Sequence, residues 1–422
     1  KKLNAYIDWI YDLGPRNEER SLRNMKVLMD RLGNPQDKIK VIHVAGTNGK
    51  GSTCNFIYSV LSRKVRCGIF VSPYMGLMTE SMIINGQAIS YEDFCAYIDR
   101  IKPIVEELRA SGHPITYFEA QTAIMYLYFY EQDVDVAVVE VGLGGLNDAT
   151  NVISSPLASL ITTISLDHLG VLGSNVVEIA EKKAGIIKKG RPVFVYPQDE
   201  QVLKVFKERA NELGSPLYTF SKDEVKIIEM NEGYNEFAFR AYGDLKTKLI
   251  GVHQLYNASL AVMFLDAFMD YFSLSPADIV DGIFASTNPG RLELISSRPR
   301  VLVDGSHNAE AIAAMKESLK VFSYDRLIVG FSVLRDKDYA YTIRELSEIA
   351  DVMVVTSVDN PKRAFAMDEL KAEVEKFRDQ VYVIEDRREA YEFSKSLAGP
   401  DDLVLWCGSL YLVRDIRDFE KN

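Results

Sequence analysis

The sequence predicts an α/β protein: a mostly parallel sheet flanked by helices, carrying a small antiparallel meander, and then a second, smaller Rossmann-like α/β domain. Three observations lead there. Over the first two-thirds of the chain, apolar strand-like runs alternate with helical patterns, and several runs are apolar on both faces, as in a sheet buried between helices. One run, Val41-Ile42-His43-Val44-Ala45, feeds a glycine-rich turn and then a helical pattern from Asn55 to Leu61. After Ser296-Ser297-Arg298-Pro299 the alternation restarts and fills about 125 residues, an ordinary domain size.

The strands expected in the first part are Val41–Val44, Cys67–Val71, Val134–Val141, Leu157–Ile164 and Pro192–Tyr196. Ser90-Tyr91-Glu92-Asp93 offers an S-x-x-D cap to a helix through about Leu108, and Tyr117 to Glu131 reads as a more buried helix. From Glu224 to Leu249, short alternating segments broken by Asn231-Glu232-Gly233 and Tyr242-Gly243-Asp244 predict the meander. Helices over Leu255–Tyr271 and Pro276–Phe284 follow. In the last part, strands are expected at Val301–Asp304, Arg326–Val329, Val352–Thr356, Val381–Ile384 and Leu403–Trp406. The domains are therefore drawn as 1–295 and 296–422, with a hinge near residues 290–298.

A chain of 422 residues exceeds what one hydrophobic core usually supports, and 47% hydrophobic with 26% charged residues is ordinary for a folded soluble protein. Sixty acids against 49 bases give a net charge of −11, and no basic run could track a nucleic-acid backbone. Cys54, Cys67, Cys95 and Cys407 show no C-x-x-C spacing and read as small apolar residues of a reducing compartment. The opening Lys1-Lys2-Leu3-Asn4 lacks a secretory pattern, and the longest apolar run, Thr122 to Tyr130, is too short to span a bilayer. The expectation is a cytoplasmic protein with no membrane or nucleic-acid partner.

The turn Gly46-Thr47-Asn48-Gly49-Lys50-Gly51-Ser52 is built to hold phosphate. Its glycines let successive N–H groups point inward, the helix behind it presents a positive end, and Lys50 adds a charge. ATP with magnesium is the ligand this phosphate loop (P-loop) predicts. The usual pattern G-x-x-x-x-G-K-[ST] is met imperfectly, since position 44 is Val and Gly51 separates Lys50 from Ser52.

Other strand tips carry donors. Ser72 follows the second strand. Glu140 ends an otherwise apolar strand, where a carboxylate must bind a cation or a structural partner. Asp167-His168 ends the fourth strand, a pair that alone could be a helix cap. Together these donors suggest a two-magnesium platform beside the loop. Glu181-Lys182-Lys183-Ala184-Gly185 reads from its spacing as a solvated basic helix end.

Eight motifs in order, namely the loop at 46–52, E-V-G-L-G-G at 140–145, L-D-H at 166–168, K-A-G-I-I-K at 183–188, H-Q-L-Y-N-A at 253–258, D-G-S-H-N at 304–308, D-K-D-Y at 336–339 and G-S-L-Y-L at 408–412, resemble the folylpolyglutamate synthase and dihydrofolate synthase family of the Mur ligase superfamily. The resemblance covers almost the whole chain. It implies a carbamylated Lys183 sharing a second magnesium with His168, while Ser72 and Glu140 hold the first. It implies nucleotide contacts from Asn257, Arg291 and Asp304, with Arg291 on phosphate and Asp304 on ribose, and a nucleotide or catalytic role for His307. Phe118, Glu119 and Asp148 resemble a pterin and aminobenzoate pocket, and Ser409 a glutamate-side residue. Two positions depart from the family pattern: Ser81 stands where E-R-I has Arg, and Leu146 where G-G-R-L-D-A-T has Arg. Both remove possible charge contacts to an anionic substrate.

The activity so implied is ATP-dependent joining of L-glutamate to a folate or dihydropteroate carboxylate, by a monomer. A Mur-type ligase of peptidoglycan precursors and a nucleotide-binding regulator without ligase activity stand as alternatives.

Overall fold

The protein is described by a computed structural model over residues 2–15, 21–72, 74, 77–166 and 173–422. It is an α/β protein in two compact units: residues 1–227, 237–247 and 254–286 form the first, and residues 228–236, 248–253 and 287–422 the second.

Among the described residues the first unit is organised on eight strands: β1 Val41–Ala45, β2 Cys67–Phe70, β3 Met82–Ile84, β4 Gln87–Ala88, β5 Val136–Glu140, β6 Ala158–Ile161, β7 Val193–Val195 and β8 Leu217–Thr219. Their order is β4-β3-β2-β5-β1-β6-β7-β8. The β2, β5, β1, β6, β7 and β8 neighbours run parallel, and β3 and β4 add an antiparallel edge. Every residue of β1, β2, β5 and β6 is buried, which is why their sequences are apolar on both faces. The β3–β4 hairpin was not anticipated, although its Asn85-Gly86 turn, with φ of 43° and 85°, is the residue pair a two-residue hairpin favours. Its strands of three and two residues are too short to show an alternation.

The helix Tyr91–Ala110 starts on Ser90, whose Oγ accepts the Asp93 N–H at 3.1 Å, as its S-x-x-D pattern predicts. The helix Tyr117–Glu131 is buried on nearly every face and fills the core on one side of the sheet. The same face continues across β6 and β7 around Ala180, Ile186, Val202 and Phe206, while Phe194 on the opposite face packs against Phe264 of the helix Val252–Ala267. The helix Lys50–Leu61 begins five residues before the helical pattern, because Gly49 in the left-handed region turns the chain directly into it. Strands β9 Val225–Met230, β10 Asn235–Phe239 and β11 Tyr242–Thr247 form the expected three-stranded antiparallel meander.

In the second unit, β12 Glu293–Ser297, β13 Arg300–Asp304, β14 Leu327–Phe331, β15 Val352–Val355, β16 Tyr382–Val383 and β17 Leu403–Cys407 order as β12-β13-β17-β14-β15-β16. All pairs are parallel except β12–β13, whose hairpin turns through Arg298-Pro299. Gly330 is required where β14 passes β17, since an added Cβ would lie 2.1 Å from the Trp406 ring. No helix among the described residues is long and apolar enough to cross a membrane.

One carboxylate clamps the edge of this unit. Asp402 accepts the Gly399 and Arg326 N–H groups at 2.7 and 3.1 Å and the Arg326 guanidinium at 2.9 Å. The Arg326 hydrogen bond holds its carboxyl below the usual range. A lowered folded pKa contributes stability above the unfolded value and loses it as pH falls through the folded one. Asp402→Asn is thus expected to lower stability by about 1–2 kcal/mol near neutrality. It should also shrink the fall in unfolding midpoint below about pH 4, read by calorimetry across pH.

Candidate active site

At the tip of β1 the chain enters the glycine-rich loop, where two positions admit no side chain. Gly46 has φ 149°, and an added Cβ would lie 1.7 Å from Thr162 Oγ1. Gly49 has φ 86°, and its added Cβ would meet Asn257 Oδ1 at 2.5 Å. The segment just beyond β6 braces the loop: Thr47 N–H donates to Thr163 O at 2.7 Å, Asn48 N–H to Thr163 Oγ1 at 3.2 Å, and Thr162 Oγ1 to Asn48 O at 2.7 Å. Thr47 Oγ1 in turn accepts the Ser165 N–H at 3.1 Å. The loop is therefore held in shape by protein alone, with Lys50, Gly51 and Ser52 forming the first turn of the helix behind it.

Asn257, 2% exposed, donates through Nδ2 to Gln254 Oε1 at 3.2 Å, while its Oδ1 is buried without a hydrogen-bond partner. A cradle closed by missing side chains and an unmet buried acceptor beside it fit a polar phosphate ligand such as a nucleotide.

β2 and β5 are parallel neighbours, so their tips lie side by side. Ser72 N–H donates to Glu140 Oε2 at 3.2 Å, and Glu140 is 5% exposed. The β1–β5 register sets Glu140 beside Val44, two residues before the loop. Burial pushes the Cys54 thiol up, with Glu140 raising it further and Lys50 opposing, so both charged groups act on one buried atom of the loop's helix. Oxygen donors at Ser72 and Glu140 suit a hard cation such as magnesium. Among the described residues no three His, Cys, Asp or Glu side chains gather as metal ligands, and Glu140 is the one described member of the expected set of those types. Asp167 and His168 lie outside the described residues.

Lys183, read from spacing as a solvated helix end, is instead 2% exposed. The reason is the turn after Glu140. An added Cβ at Gly145 would lie 3.1 Å from Lys183 Cα, and Leu146 N–H donates to Lys182 O at 2.8 Å. Asn151 Nδ2 ties the two segments further, donating to Leu146 O at 3.0 Å and Gly185 O at 3.1 Å. Leu146 itself, where the family has Arg, is 40% exposed. Ser81 is fully buried, donating to Met78 O at 2.6 Å and accepting Gln121 Nε2 at 3.0 Å.

The residues assigned to the pterin and aminobenzoate pocket have structural engagements as well. Phe118 is 4% exposed with its ring 6.2 Å from Phe70. Glu119 and Thr116 close a capping box at the start of their helix. Asp148 is wholly buried and accepts the N–H groups of Leu143 at 2.9 Å and Thr150 at 3.1 Å.

In the second unit, the tips of β13 and β17 carry the expected residues. Asp304, 4% exposed, accepts the Leu292 and Ser306 N–H groups at 2.9 and 2.8 Å, and Gly305 N–H donates to Gly290 O at 2.8 Å. These bonds bind the turn holding Arg291 to the end of β13. His307 Nδ1 donates to Gly305 O at 3.3 Å. Ser409 begins the helix Leu410–Lys421, 4% exposed, its Oγ buried without a hydrogen-bond partner. Burial lowers the pKa of His253, which senses Asp304, Arg291 and Glu310. Sequence reasoning missed the Thr162–Thr163 brace, since two threonines at a strand end read as ordinary β-branched residues.

Residues 44–265 match the Mur ligase middle domain, and residues 290–410 the Mur ligase, glutamate ligase domain. The dihydrofolate synthase/folylpolyglutamate synthase of Bacillus subtilis is 37% identical, over 98% of each chain. The structure of Mycobacterium tuberculosis folylpolyglutamate synthase complexed with ADP and AMPPCP superposes with a TM-score of 0.88 at 30% identity, covering 100% of this chain and 99% of that one. A folylpolyglutamate synthase–AMPPCP–folate complex superposes at 0.83 and 29% identity, over 98% of both chains. With the loop, the strand tips and both domains matched, the chain belongs to the folylpolyglutamate synthase and dihydrofolate synthase family of Mur-type ligases.

Proposed function

We propose that this protein is an ATP-dependent ligase that joins the amine of L-glutamate to the carboxylate of a folate or of dihydropteroate. The observation that carries the reading is the loop at 46–52, locked by Thr162 and Thr163 with Asn257 packed close at Gly49, and Glu140 buried at the adjacent strand tip. The loop N–H groups and Lys50 align the terminal phosphate, the folate carboxylate attacks it in line, and an acyl phosphate forms. Glutamate's amine then displaces phosphate. Two anions meet here, so lowering their repulsion is the main task of the residues present.

Ser72 and Glu140 would hold one magnesium ion, and carbamylated Lys183 with His168 a second. Magnesium bound there would neutralise charge on the phosphate oxygens. The carbamate would form by attack of the neutral Lys183 amine on CO₂, and the 2% exposure of Lys183 would shield it from bulk water. Asn257, Arg291 and Asp304 serve the nucleotide, His307 stands as a catalytic neighbour, and Phe118, Glu119 and Asp148 serve the folate. Ser409, a buried hydroxyl lacking a partner at a helix start, serves glutamate. We take residues 1–295 as the ATP-binding domain and 296–422 as the ligase domain of a cytoplasmic monomer.

The test is ADP release with ATP, Mg²⁺ and glutamate, given dihydropteroate, a reduced folate or a UDP-muramyl precursor. Turnover is expected with one or both of the first two. Turnover with the last alone, or hydrolysis indifferent to both acceptors, overturns the reading.

A further inference from the structure

We propose that His43 is a positioning residue for the ligation, fixing through Thr150 and Asp148 the turn that links Glu140 to Lys183. The proposal rests on the nucleotide and metal reading above. His43 lies in β1, the strand that delivers the phosphate loop. His43, Asp148 and Thr150 are all 0% exposed. His43 Nε2 lies 2.8 Å from Thr150 Oγ1, and Thr150 Oγ1 bonds in turn to Asp148 Oδ2.

The direction of this relay follows from its ends. A carboxylate only accepts, so the one Thr150 hydroxyl proton goes to Asp148. The hydroxyl can then only accept from the imidazole, which must carry its proton on Nε2. Burial pushes the imidazole down to about 3, so the ring is neutral and this tautomer holds at any working pH. Asp148 spends its other bonds on the turn, accepting Leu143 N–H at 2.9 Å and Thr150 N–H at 3.1 Å. Tyr126 anchors the same spot by donating to Thr150 O at 2.6 Å.

From the turn the connection passes outward without a gap. Asp148 N–H donates to Gly145 O at 3.1 Å, and Gly145 is the residue whose missing side chain lets the turn lie against Lys183 Cα. Leu146 N–H then holds Lys182 O at 2.8 Å. One end of the relay is thus the strand of the phosphate loop, and the other the backbone of the buried lysine. An imidazole in the middle of a central strand is costly for stability alone, where an apolar residue would pack. Fixing three separate segments in one register gives it a use.

The test is calorimetric titration of a non-hydrolysable ATP analogue into the full-length protein at graded Mg²⁺. Thr150→Val and His43→Leu delete the relay at near-constant volume, and each should raise the Mg²⁺ needed for half-maximal tightening about ten-fold or more, leaving metal-free affinity unchanged. Thr150→Ser and His43→Gln keep a hydroxyl and an Nε2-placed donor and should stay within about two-fold of wild type. The double variant His43→Leu/Thr150→Val should be no worse than either single one, because both cut one chain. Should one deletion variant fail to fold by circular dichroism, the other residue's pair carries the same comparison. Wild-type Mg²⁺ dependence in the deletion variants, additive losses, or equal losses in the conservative variants overturn the relay. Wild type that binds the analogue indifferently to Mg²⁺ overturns the metal reading beneath it.

Discussion

Lys50→Met is expected to abolish glutamate-dependent ADP release, lowering kcat about 10³-fold, with the fold intact. Lys50 is the first residue of its helix and follows Gly49, whose left-handed backbone aims the chain's turn. The side chain is half-buried at the loop, and no other cation belongs to the loop motif. Methionine keeps the length and the apolar stem while deleting the charge. Thr162 and Thr163 brace the loop backbone independently of that charge, so the unfolding midpoint should move little. The loss should therefore fall on turnover more than on structure. Steady-state kinetics beside a thermal melt decide it: near-normal kcat would remove Lys50 from phosphoryl transfer.

Lys183→Arg is expected to be as inactive as Lys183→Ala, about 10²-fold or more below wild type. The logic is chemical. If the site needed a cation, arginine would supply one that is always charged. If it needs the carbamate formed from a neutral amine, arginine cannot provide it. Lys183→Glu carries a carboxylate near the required place and should regain part of the activity lost in Lys183→Ala. Activity of Lys183→Arg near wild type would sink the carbamate. Mass spectrometry of the intact native protein gives an independent reading, since the modification adds one CO₂ that acid removes.

The phosphate loop was legible because its glycines encode backbone shape, and the structure assigns Gly46 and Gly49 the positive φ values such a turn needs. Ser72 and Glu140 were legible because polar residues ending apolar strands stand out, and the β2–β5 pairing brings them together. Lys183 was not readable from its spacing, because a helix-end lysine is usually solvated. What buries it is a turn some 40 residues earlier in the chain, packing through the absent side chain of Gly145. The His43–Thr150 contact spans 107 residues and leaves no periodic trace. Most strands were found within a residue or two. β12 was hidden between the turn-rich residues 286–291 and Arg298-Pro299, and at the sheet edge its Glu and Ser residues are tolerated.

The strand order also acts as a ruler. β2, β5, β1 and β6 are consecutive neighbours, and they deliver Ser72, Glu140, the glycine loop and Thr162 in that sequence. With strands about 4.8 Å apart, four tips spread over about 14 Å. A slip of one strand by one residue would move its tip residue about 3.3 Å and turn its side chain to the other face of the sheet. Substitutions elsewhere can therefore retune which acid is accepted, whereas drift within these four strands dismantles the energy-coupling step that every acid shares.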